Sequence, residues 1–508
     1  ENLGDGTFKD VTVSSGITLD SAYTNSVAFA DVNLDGLLDI YAVDYTRRKV
    51  FDIFSEDGSL KTEIPKGGDN LLYINKGNLQ FQEMGEEYNL NDDGMALALA
   101  FSDYDNDYDS DIIIANDMGI FLFGNRMYQN NFPEESFSNI SVAAGMDFEI
   151  YGMGVAVGDY NEDGWMDYYI TNMGGNLLHE NVEGEYFNEV AAGVGCLDLF
   201  TSESELAVGW GAVFFDYDND TDLDLYVCNG GISSGDEYNT NSFYKYDPAS
   251  LFTNVAPEFK VDSKFKSRGV ASGDLDNDGD LDMVVVNQAY QPNFIFREEL
   301  DSPNFNLYIN HIKELGNTNN WLKVKLTGKE SNYCGIGSML KAYVNGRQFL
   351  REIDGGSSHL SQNSTIAHFG LGEYNSLDSL VIHWPGGKTQ VLERIEANQT
   401  LLVEECTNED ANCFQRTVRE RKEEEIASID QHHQLIQVVK NNKNLEVSIG
   451  KKGTLALYDT NGRKIYESYH DKGNVMIAEN KLISHHIIIM VFYTSEGTSE
   501  TRKIFLNN

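Results

Sequence analysis

Acidic residues recur in five nine-residue segments with the same spacing of side-chain oxygens. Positions 1, 3, 5 and 9 of every segment are Asp or Asn. A short turn with this spacing can fold its oxygens inward around a hard cation such as calcium. We therefore predict about five Ca²⁺ ions, each bound by these four side chains and by the main-chain carbonyl of position 7. The predicted ligands are Asp31, Asn33, Asp35, Leu37 and Asp39; Asp103, Asp105, Asp107, Asp109 and Asp111; Asp159, Asn161, Asp163, Trp165 and Asp167; Asp216, Asp218, Asp220, Asp222 and Asp224; and Asp274, Asp276, Asp278, Asp280 and Asp282.

The EF-hand is the obvious alternative, because its loop opens with the same D-x-D-x-D-G pattern. An EF-hand loop needs Glu at position 12, where these segments have Ala42, Ile114, Ile170, Val227 and Val285. Those residues lie in apolar runs typical of buried strands, and small apolar residues also precede each segment. The acidic loops therefore join strand to strand, and the EF-hand is rejected.

Two of the loops lack glycine at position 6, where Tyr108 and Thr221 stand instead. Glycine accommodates the backbone of a tight turn most easily, so we expect these two sites to be weaker or more strained than the others. For all five loops we expect affinities on the order of 10⁻⁵ to 10⁻³ M, as in extracellular calcium modules. Chelation should then lower the melting temperature of the loop-bearing region and leave the C-terminal domains nearly untouched.

The acidic loops recur at a nearly constant interval. They begin at residues 31, 103, 159, 216 and 274, so the steps are 72, 56, 57 and 58 residues. This period indicates a repeat architecture with one insertion, around residues 54–59. Each repeat also contains a second hairpin, for example at residues 70–81 and 176–187. Four strands per repeat of this length predict the blades of a β-propeller.

These residues resemble the FG-GAP or VCBS-type repeats of calcium-bearing β-propellers, as in integrin α-chain heads. The resemblance implies a ring that usually has seven blades, although only five calcium loops are visible in this sequence. Residues 2–12 match the second hairpin of a repeat and not its beginning. Either this strand completes the last blade and closes the ring, or the sequence is a fragment of a longer protein.

A second resemblance begins near Asn320 and covers roughly residues 320 to 404. The motifs are residues 320–326 (NWLKVKL), 355–362 (GGSSHLSQ), 368–372 (HFGLG) and 381–388 (VIHWPGGK). Together they resemble the ASPIC/UnbV domain, which follows FG-GAP-like propellers in bacterial secreted proteins and in animal proteins of the cartilage-acidic-protein kind. Alternating strands and glycine-rich turns indicate a small β-domain.

The tail resembles a type IX secretion C-terminal sorting domain of Bacteroidota. The motifs are residues 455–466 (LALYDTNGRKIY), 487–493 (IIIMVFY) and 502–505 (RKIF). The resemblance implies export to the exterior of the outer membrane, cleavage near residues 414–430, and attachment at the cell surface or release. An ordinary immunoglobulin-like module is the alternative. No signal peptide is visible, which for a secreted protein indicates a mature or truncated sequence.

The predicted fold class is all-β, with an FG-GAP-type β-propeller followed by two small β-sandwich-like domains. We expect the propeller at residues 1–315, the ASPIC/UnbV-like domain at 316–405, a charged linker at 406–430 and the sorting domain at 431–508. The net charge of −44 makes nucleic acid an unsuitable partner, since its phosphates would be repelled. No stretch approaches the roughly 20 apolar residues needed to span a membrane.

The five cysteines leave their pairing open. Cys406 and Cys413 bracket a short hydrophilic stretch and could form a local disulfide. Cys196 and Cys228 lie in adjacent repeats and could pair, or could be two buried thiols. Cys334 is left over.

Histidine and nucleophile motifs give little support to catalysis. His179 is the only histidine in residues 1–300 and is interpreted as structural. His359, His368 and His383 do not have the spacing of a standard zinc site, and each lies inside an ASPIC-like motif. The sequence contains no His-Glu-x-x-His or phosphate-loop pattern.

Two functional hypotheses follow. The first is a non-catalytic, calcium-stabilised secreted or cell-surface protein that binds an extracellular glycan or protein through the propeller face. The second is a carbohydrate-active enzyme, a polysaccharide lyase or hydrolase, that uses the same face. A panel of polysaccharides tested for both binding and product release separates them.

Overall fold

The computed structural model describes residues 1–17, 23–46, 67–199, 206–232, 239–288, 305–313 and 316–407, and the strands between residues 436 and 505. This part is all-β, as predicted: besides strands it contains only two single-turn helices, α1 Ala191–Val194 and α2 Ala256–Phe259. The chain divides into two compact units, Glu1–Val418 and Arg419–Asn508. The predicted insertion at residues 54–59 and the predicted cleavage region at 414–430 lie outside the described residues.

Five antiparallel sheets follow one another along the first unit, each with its strands in sequence order. Sheet 1 consists of β1 Thr24–Ala30, β2 Asp39–Asp44, β3 Leu71–Asn75 and β4 Phe81–Glu83. Sheet 2 consists of β5 Met95–Ser102, β6 Asp111–Asp117, β7 Arg126–Asn130 and β8 Phe137–Asn139. Sheet 3 consists of β9 Val155–Gly158, β10 Asp167–Ile170, β11 Leu177–Val182 and β12 Tyr186–Glu189. Sheet 4 consists of β13 Gly209–Phe215, β14 Asp224–Asn229, β15 Ser242–Lys245 and β16 Thr253–Asn254. Sheet 5 has three described strands, β17 Ser267–Gly273, β18 Asp282–Asn287 and β19 Phe305–Tyr308.

The first strands carry the contacts between sheets. They are short apolar runs of small and β-branched residues, and β5 is buried along its whole length. Each first strand contacts that of the next sheet, from β1 to β5, β9, β13 and β17. A strand packed on both faces needs apolar residues at nearly every position, which explains the apolar run of β5, whereas β1 alternates between buried and exposed residues. The sheets thus lie beside one another as propeller blades do. Closure into a ring is not observed among the described residues, so the blade number stays a prediction.

Two further sheets follow in the same compact unit. Sheet 6 has the order β23-β20-β26 and sheet 7 the order β22-β21-β24-β25. Their bounds are β20 Asn320–Thr327, β21 Met339–Val344, β22 Arg347–Glu352, β23 Ile366–Gly372, β24 Ser376–His383, β25 Thr389–Glu396 and β26 Gln399–Glu404. Apolar side chains of both sheets, among them Leu322, Phe369 and Trp384, form one buried core. We call these strands and their connections the second domain.

The second unit contains two antiparallel sheets, ordered β27-β28-β31 and β30-β29-β32-β33. Their bounds are β27 Ile436–Asn441, β28 Asn444–Ile449, β29 Gly453–Tyr458, β30 Lys464–His470, β31 Gly473–Ala478, β32 Ile487–Thr494 and β33 Ser499–Phe505. Leu455 is buried in it. Two sheets are compatible with the predicted sandwich-like module, while its role in secretion stays a prediction.

The structure decides between the cysteine alternatives. Cys196 and Cys228 are both buried free thiols, so the alternative in which they pair is wrong. Cys334 is free and exposed. Cys406 is disulfide-bonded, and Cys413, its predicted partner, lies outside the described residues. No helix in the described part of the chain is long and apolar enough to cross a membrane.

Candidate metal centres

The first residue of each acidic loop organises the turn through its carboxylate. In the loop between β1 and β2, Asp31 accepts the main-chain N–H of Asp35 at 2.9 Å and of Gly36 at 2.8 Å. In each of the next three loops, the carboxylate of position 1 accepts the main-chain N–H groups of positions 5 and 6 at 3.0 to 3.1 Å. Asp274 of the fifth loop accepts that of Gly279 at 2.9 Å. The turn is therefore wound around this carboxylate, which fixes the direction of its neighbours.

The last residue of each loop ties the loop to its own sheet. Asp39 accepts the N–H of Val32 at 3.1 Å and that of Asn75, at the end of the third strand, at 2.7 Å. The residue at position 9 of the other loops accepts the N–H of position 2 and one N–H from the third-strand region of the same sheet. These residues are Asp111, Asp167, Asp224 and Asp282. This residue is thus a buried anchor that all five repeats share.

Carboxylates of positions 1, 3 and 9 converge in three loops. The clusters are Asp103, Asp105 and Asp111; Asp216, Asp218 and Asp224; and Asp274, Asp276 and Asp282, whose ligating oxygens lie within 4.8 Å of one another. The other two loops have Asn33 and Asn161 at position 3. At position 5 the carboxylate accepts the N–H of position 7 in every loop. Coordination by the carbonyl of position 7 stays a prediction.

Burial and mutual repulsion raise the pKa values of these carboxyl groups. Burial raises the pKa of Asp31 to about 6 and, with the nearby carboxylates, that of Asp103 to about 7. The pKa of Asp39 and of Asp159 is also raised to about 7, and burial is the largest cause in both. A protein that buries several acids together without a cation disfavours their ionised forms. A bound divalent cation would remove this penalty.

The donor set fits a hard cation. Several loop carboxylate oxygens are buried without any hydrogen-bond partner, namely Asp105 Oδ1, Asp109 Oδ1, Asp218 Oδ1, Asp274 Oδ1 and Asp280 Oδ2. Buried oxygen atoms that lack a donor carry an unfavourable desolvation free energy unless an ion satisfies them. Oxygen-only ligands favour Ca²⁺ or Mg²⁺ over transition metals. The geometry therefore suits metal binding in at least three loops and does not by itself identify the ion.

Position 6 has a left-handed backbone in every loop. The φ angles of Gly36, Gly164 and Gly279 are 88°, 89° and 93°. Tyr108 and Thr221 adopt φ angles of 72° and 95° without the freedom of glycine. A positive φ is a genuine outlier for a β-branched residue such as threonine. The predicted strain at these two positions is therefore present in the backbone.

Lysine side chains pair with carboxylates of two of the loops. Lys245 of β15 pairs with Asp218 and, at 3.1 Å, with Asp220. Lys323 of β20 lies 2.5 Å from Asp274, and both side chains are buried. Lys313 lies 3.2 Å from Asp280. These cations offset part of the negative charge of the fourth and fifth loops.

The second domain covers the acidic loops, which sequence analysis did not predict. The ring of His383 stacks on Tyr108 of the second loop at 4.2 Å. Arg347 binds Glu162 of the third loop at 2.7 and 2.8 Å. The Nε2 atom of His368 lies 2.9 Å from the carbonyl oxygen of Gly279 in the fifth loop. The second domain therefore packs against the loop ends of the sheets, while parts of the first and fifth loops stay exposed.

A connecting segment of the second domain also contacts the first strands of the sheets. Residues 353–364, here called the inserted segment, join β22 to β23. Gly355 accepts the N–H of Phe29 at 3.0 Å, Ser358 accepts that of Val155 at 3.0 Å, and Asn363 accepts that of Ser272 at 3.1 Å; these donors lie in sheets 1, 3 and 5. His359 packs on Trp210 of sheet 4, and Glu352, next to the segment, accepts from Ser102 of sheet 2 at 2.7 Å. The five first strands thus surround this segment.

The glycine pair at residues 355 and 356 is the sequence feature that could have predicted the packing of the inserted segment against the first strands. A Cβ atom on Gly355 would lie 1.9 Å from the carbonyl oxygen of Phe29, and one on Gly356 would lie 3.1 Å from Ala28 Cβ. Only residues without side chains permit so close an approach of two backbones. A Gly-Gly pair outside a predicted hairpin could have been interpreted in this way from the sequence.

The histidines support structural roles. Burial lowers the pKa of His179 to about 3 and that of His359 to about 4. His359, His368 and His383 each bind a different partner in the repeat sheets, and none belongs to a metal-ligating cluster in the described part of the chain. Neutral, buried imidazoles of this kind stabilise packing.

Comparison with known protein families agrees with two of the three resemblances, and the sorting-domain resemblance of the tail stays a prediction. Residues 103–170 and 216–285 match the family described as FG-GAP-like repeat, and residues 328–410 match the family described as ASPIC and UnbV. The chain contains FG-GAP-like repeats and an ASPIC/UnbV domain. The repeat matches include four of the five acidic loops.

Curated relatives match more than half of this chain. Cartilage acidic protein 1 of Xenopus tropicalis is 27% identical over 342 residues, which is 65% of this chain and 48% of the relative. The human protein is 27% identical over 293 residues, covering 55% of this chain and 39% of the relative, and the mouse protein 25% identical over 394 residues, covering 75% and 54%. The chain thus spans about half the length of the curated relatives it matches.

Solved structures are more distant. An Agrocybe aegerita lectin that recognises non-reducing terminal N-acetylglucosamine is 12% identical with a TM-score of 0.32, covering 67% of this chain and 81% of the lectin. The BP39L lectin from Burkholderia pseudomallei is 9% identical with a TM-score of 0.31, covering 94% and 98%. TM-scores this low carry no argument about fold or ligand.

Proposed function

We propose that this protein is a secreted or cell-surface, calcium-binding, propeller-like protein that captures an extracellular glycan or protein ligand without catalysis. The observation that carries the calcium assignment is the hydrogen-bond scaffold that the five loops share. In three loops the carboxylate oxygens converge, and several loop oxygens are buried without a hydrogen-bond partner. Calcium in these loops would be structural, because the second domain packs against them.

The ligand surface is then assigned to the opposite ends of the sheets. In an antiparallel sheet in sequence order, the connections between second and third strands lie at the end opposite the acidic loops. That end exposes large apolar side chains, among them Ile120, Phe121, Leu206 and Ile232, with 37 to 58% of their surface accessible. Exposed apolar clusters at one end of a scaffold are typical of binding surfaces.

Secretion and surface attachment are part of the same proposal. The second unit, Arg419–Asn508, is separately compact. A separate C-terminal β-module is compatible with a sorting domain, and the tail motifs given above support this assignment. The destination would be the exterior of the outer membrane.

A binding and turnover screen tests the proposal. Wild-type protein in saturating calcium is screened against a panel of polysaccharides and extracellular proteins, with binding and product release measured together. The double variant Ile120→Ser/Phe121→Ser should bind the best ligand at least tenfold more weakly. Tyr333→Ser, which changes an even more exposed side chain of the second domain, should bind normally. Sustained product release would instead establish the carbohydrate-active enzyme, and equal effects of both variants would place the ligand elsewhere.

A further inference from the structure

One position at the end of the third strand adjoins each acidic loop. In every repeat the next residue along the chain donates its main-chain N–H to the carboxylate at position 9 of the loop. We call it the third-strand position, and its residues are Ile74, Gln129, Glu180, Lys245 and Ile309. The five loops thus share one scaffold, whereas the residue beside them is apolar, an amide, a carboxylate or an ammonium group.

In the second and fourth loops the residue at the third-strand position binds the same loop oxygen. Gln129 Nε2 donates to Asp105 Oδ2 at 2.8 Å, and Lys245 Nζ donates to Asp218 Oδ2. Asp105 and Asp218 both occupy position 3 of their loops. In both residues the other oxygen, Oδ1, is buried without a hydrogen-bond partner. The two sites therefore share this geometry and differ by one positive charge, that of the lysine.

Lys245 also binds the carboxylate at position 5 of the fourth loop. Its Nζ atom lies 3.1 Å from Asp220 Oδ2, while Asp220 Oδ1 accepts the main-chain N–H of Asp222. One ammonium group thus holds positions 3 and 5, which are two of the four predicted side-chain ligands of the ion. In the described part of the first three loops, no lysine or arginine forms an ion pair with a predicted side-chain ligand.

The lysines of the fifth loop are arranged differently. Lys323 pairs with Asp274 at position 1, and Lys313 pairs with Asp280 at position 7. Neither forms an ion pair with the side chains at positions 3 and 5 in the described structure. The ammonium group at positions 3 and 5 is therefore a feature of the fourth loop, and its source is the third strand of the same sheet.

We propose that Lys245 competes with calcium for the fourth loop, so that this loop fills only at higher calcium concentrations than the second. This inference rests on the calcium binding proposed above. Without calcium the ammonium group neutralises Asp218 and Asp220. Calcium must displace it or bind beside it, and both are unfavourable because the two cations repel each other. Gln129 adds no charge to the second loop, which therefore binds calcium more tightly although both loops lack glycine at position 6.

Hydrogen exchange of the full-length chain at buffered calcium concentrations tests the competition loop by loop. The measured quantity is the calcium concentration that half-protects the amides of residues 103–111 and of residues 216–224. In the wild type this midpoint should be higher for residues 216–224. Lys245→Met should lower the midpoint of residues 216–224 by at least about tenfold, because it removes a positive charge beside a divalent ion. The midpoint of residues 103–111 should not change.

Variants of Gln129 provide the matched controls at the equivalent position of the second loop. Gln129→Met removes the same hydrogen bond without a change of charge, and it should shift the midpoint of residues 103–111 much less than Lys245→Met shifts that of residues 216–224. Gln129→Lys should raise the midpoint of residues 103–111 by at least about tenfold.

Two results would count against the inference, and they are distinguishable. If calcium still protects the loops but Lys245→Met leaves the midpoint of residues 216–224 unchanged, the competition is overturned and the calcium assignment stands. If saturating calcium protects none of the five loops, the calcium assignment itself is overturned, and the competition with it.

Discussion

Single residues of the second domain offset part of the negative charge of the acidic loops. Lys323 is the clearest case, because its side chain and that of Asp274 are 6% and 2% exposed. A buried ion pair contributes little net stability when intact, yet losing one partner leaves an uncompensated buried charge. The arrangement therefore makes the folding of the second domain depend on the fifth loop.

Replacing this lysine should be costly in the absence of metal. Lys323→Met should lower the free energy of unfolding by about 3–5 kcal/mol in the presence of chelator, because Asp274 loses its buried counterion. Saturating calcium should reduce the loss, since the metal would neutralise Asp274. Lys325→Met, at an exposed position of the same strand, is the control and should change stability little. Urea denaturation with EDTA and with calcium measures both. An equal loss of unfolding free energy with and without calcium would show that the effect of Lys323 does not depend on the metal site.

Glycine at position 6 has a second constraint besides its backbone angle. A Cβ on Gly36 would lie 2.5 Å from the carbonyl oxygen of Glu330 in the second domain. Gly36→Ala should therefore destabilise the protein by more than Gly346→Ala. The two residues have similar φ angles, 88° and 80°, but a Cβ on Gly346 meets no atom within 4 Å. Thermal denaturation of the two variants compares them directly. Equal losses would attribute the whole effect to backbone strain and argue against close docking at the first loop.

The acidic loops with their flanking strands were predictable as elements because their causes are local. The side-chain oxygens at fixed positions and the apolar flanking runs of each loop are contained within about twenty consecutive residues, and the same pattern recurs along the chain. The second domain's contacts are not local: Asp103 and Glu352 are separated by 249 positions. A lysine between two apolar residues of a strand, such as Lys323 between Leu322 and Val324, indicates a buried charge but does not say which carboxylate it meets. For that reason the sequence predicted the metal-ligand positions but not the packing of the second domain against them.

Stability should vary with pH through the same loops. In the folded, metal-free protein the pKa of Asp31 is about 6 and those of Asp39 and Asp103 about 7, above the value of 3.8 for a free aspartate. Below about pH 4 the groups are protonated in both states, so they cause no loss. As pH rises toward 7 the unfolded chain releases these protons first, and stability falls.

Calcium should reverse this trend, because it binds the ionised carboxylates. The calcium-induced rise in melting temperature should therefore grow from pH 5 to pH 8. Asp39→Asn should flatten the decline of the metal-free protein, whereas Asp10→Asn, at an exposed position, should not. Scanning calorimetry over this pH range, with and without calcium, provides the comparison. A calcium effect independent of pH would mean that protons and metal do not compete at these loops.

At the scale of the molecule, the first compact unit joins two regions that the sequence separates. The second domain contacts the acidic loops and inserts residues 353–364 among the five first strands. Chelation should therefore destabilise the second domain together with the sheets, and not spare it as the sequence alone led us to expect. Hydrogen exchange should show increased labelling of β20 to β26 in EDTA, with β29 and β32 of the second unit unchanged. Unaltered protection in the second domain would restore the expectation of independent domains.

The proposed role of the second unit is to direct export of the protein and not to bind the ligand. It is separately compact, and its strands share none of the acidic-loop pattern. Deleting residues 431–508 should leave calcium binding and the melting of the first unit intact, because the unit's core is complete without them. In a bacterium with a type IX system the truncated protein should accumulate in the periplasm, whereas the full chain reaches the surface or the medium. Cell fractionation, with the melting curve of the truncated protein as the folding control, measures this. Normal amounts of folded, truncated protein outside the cell would make the tail an ordinary β-module and leave export to another signal.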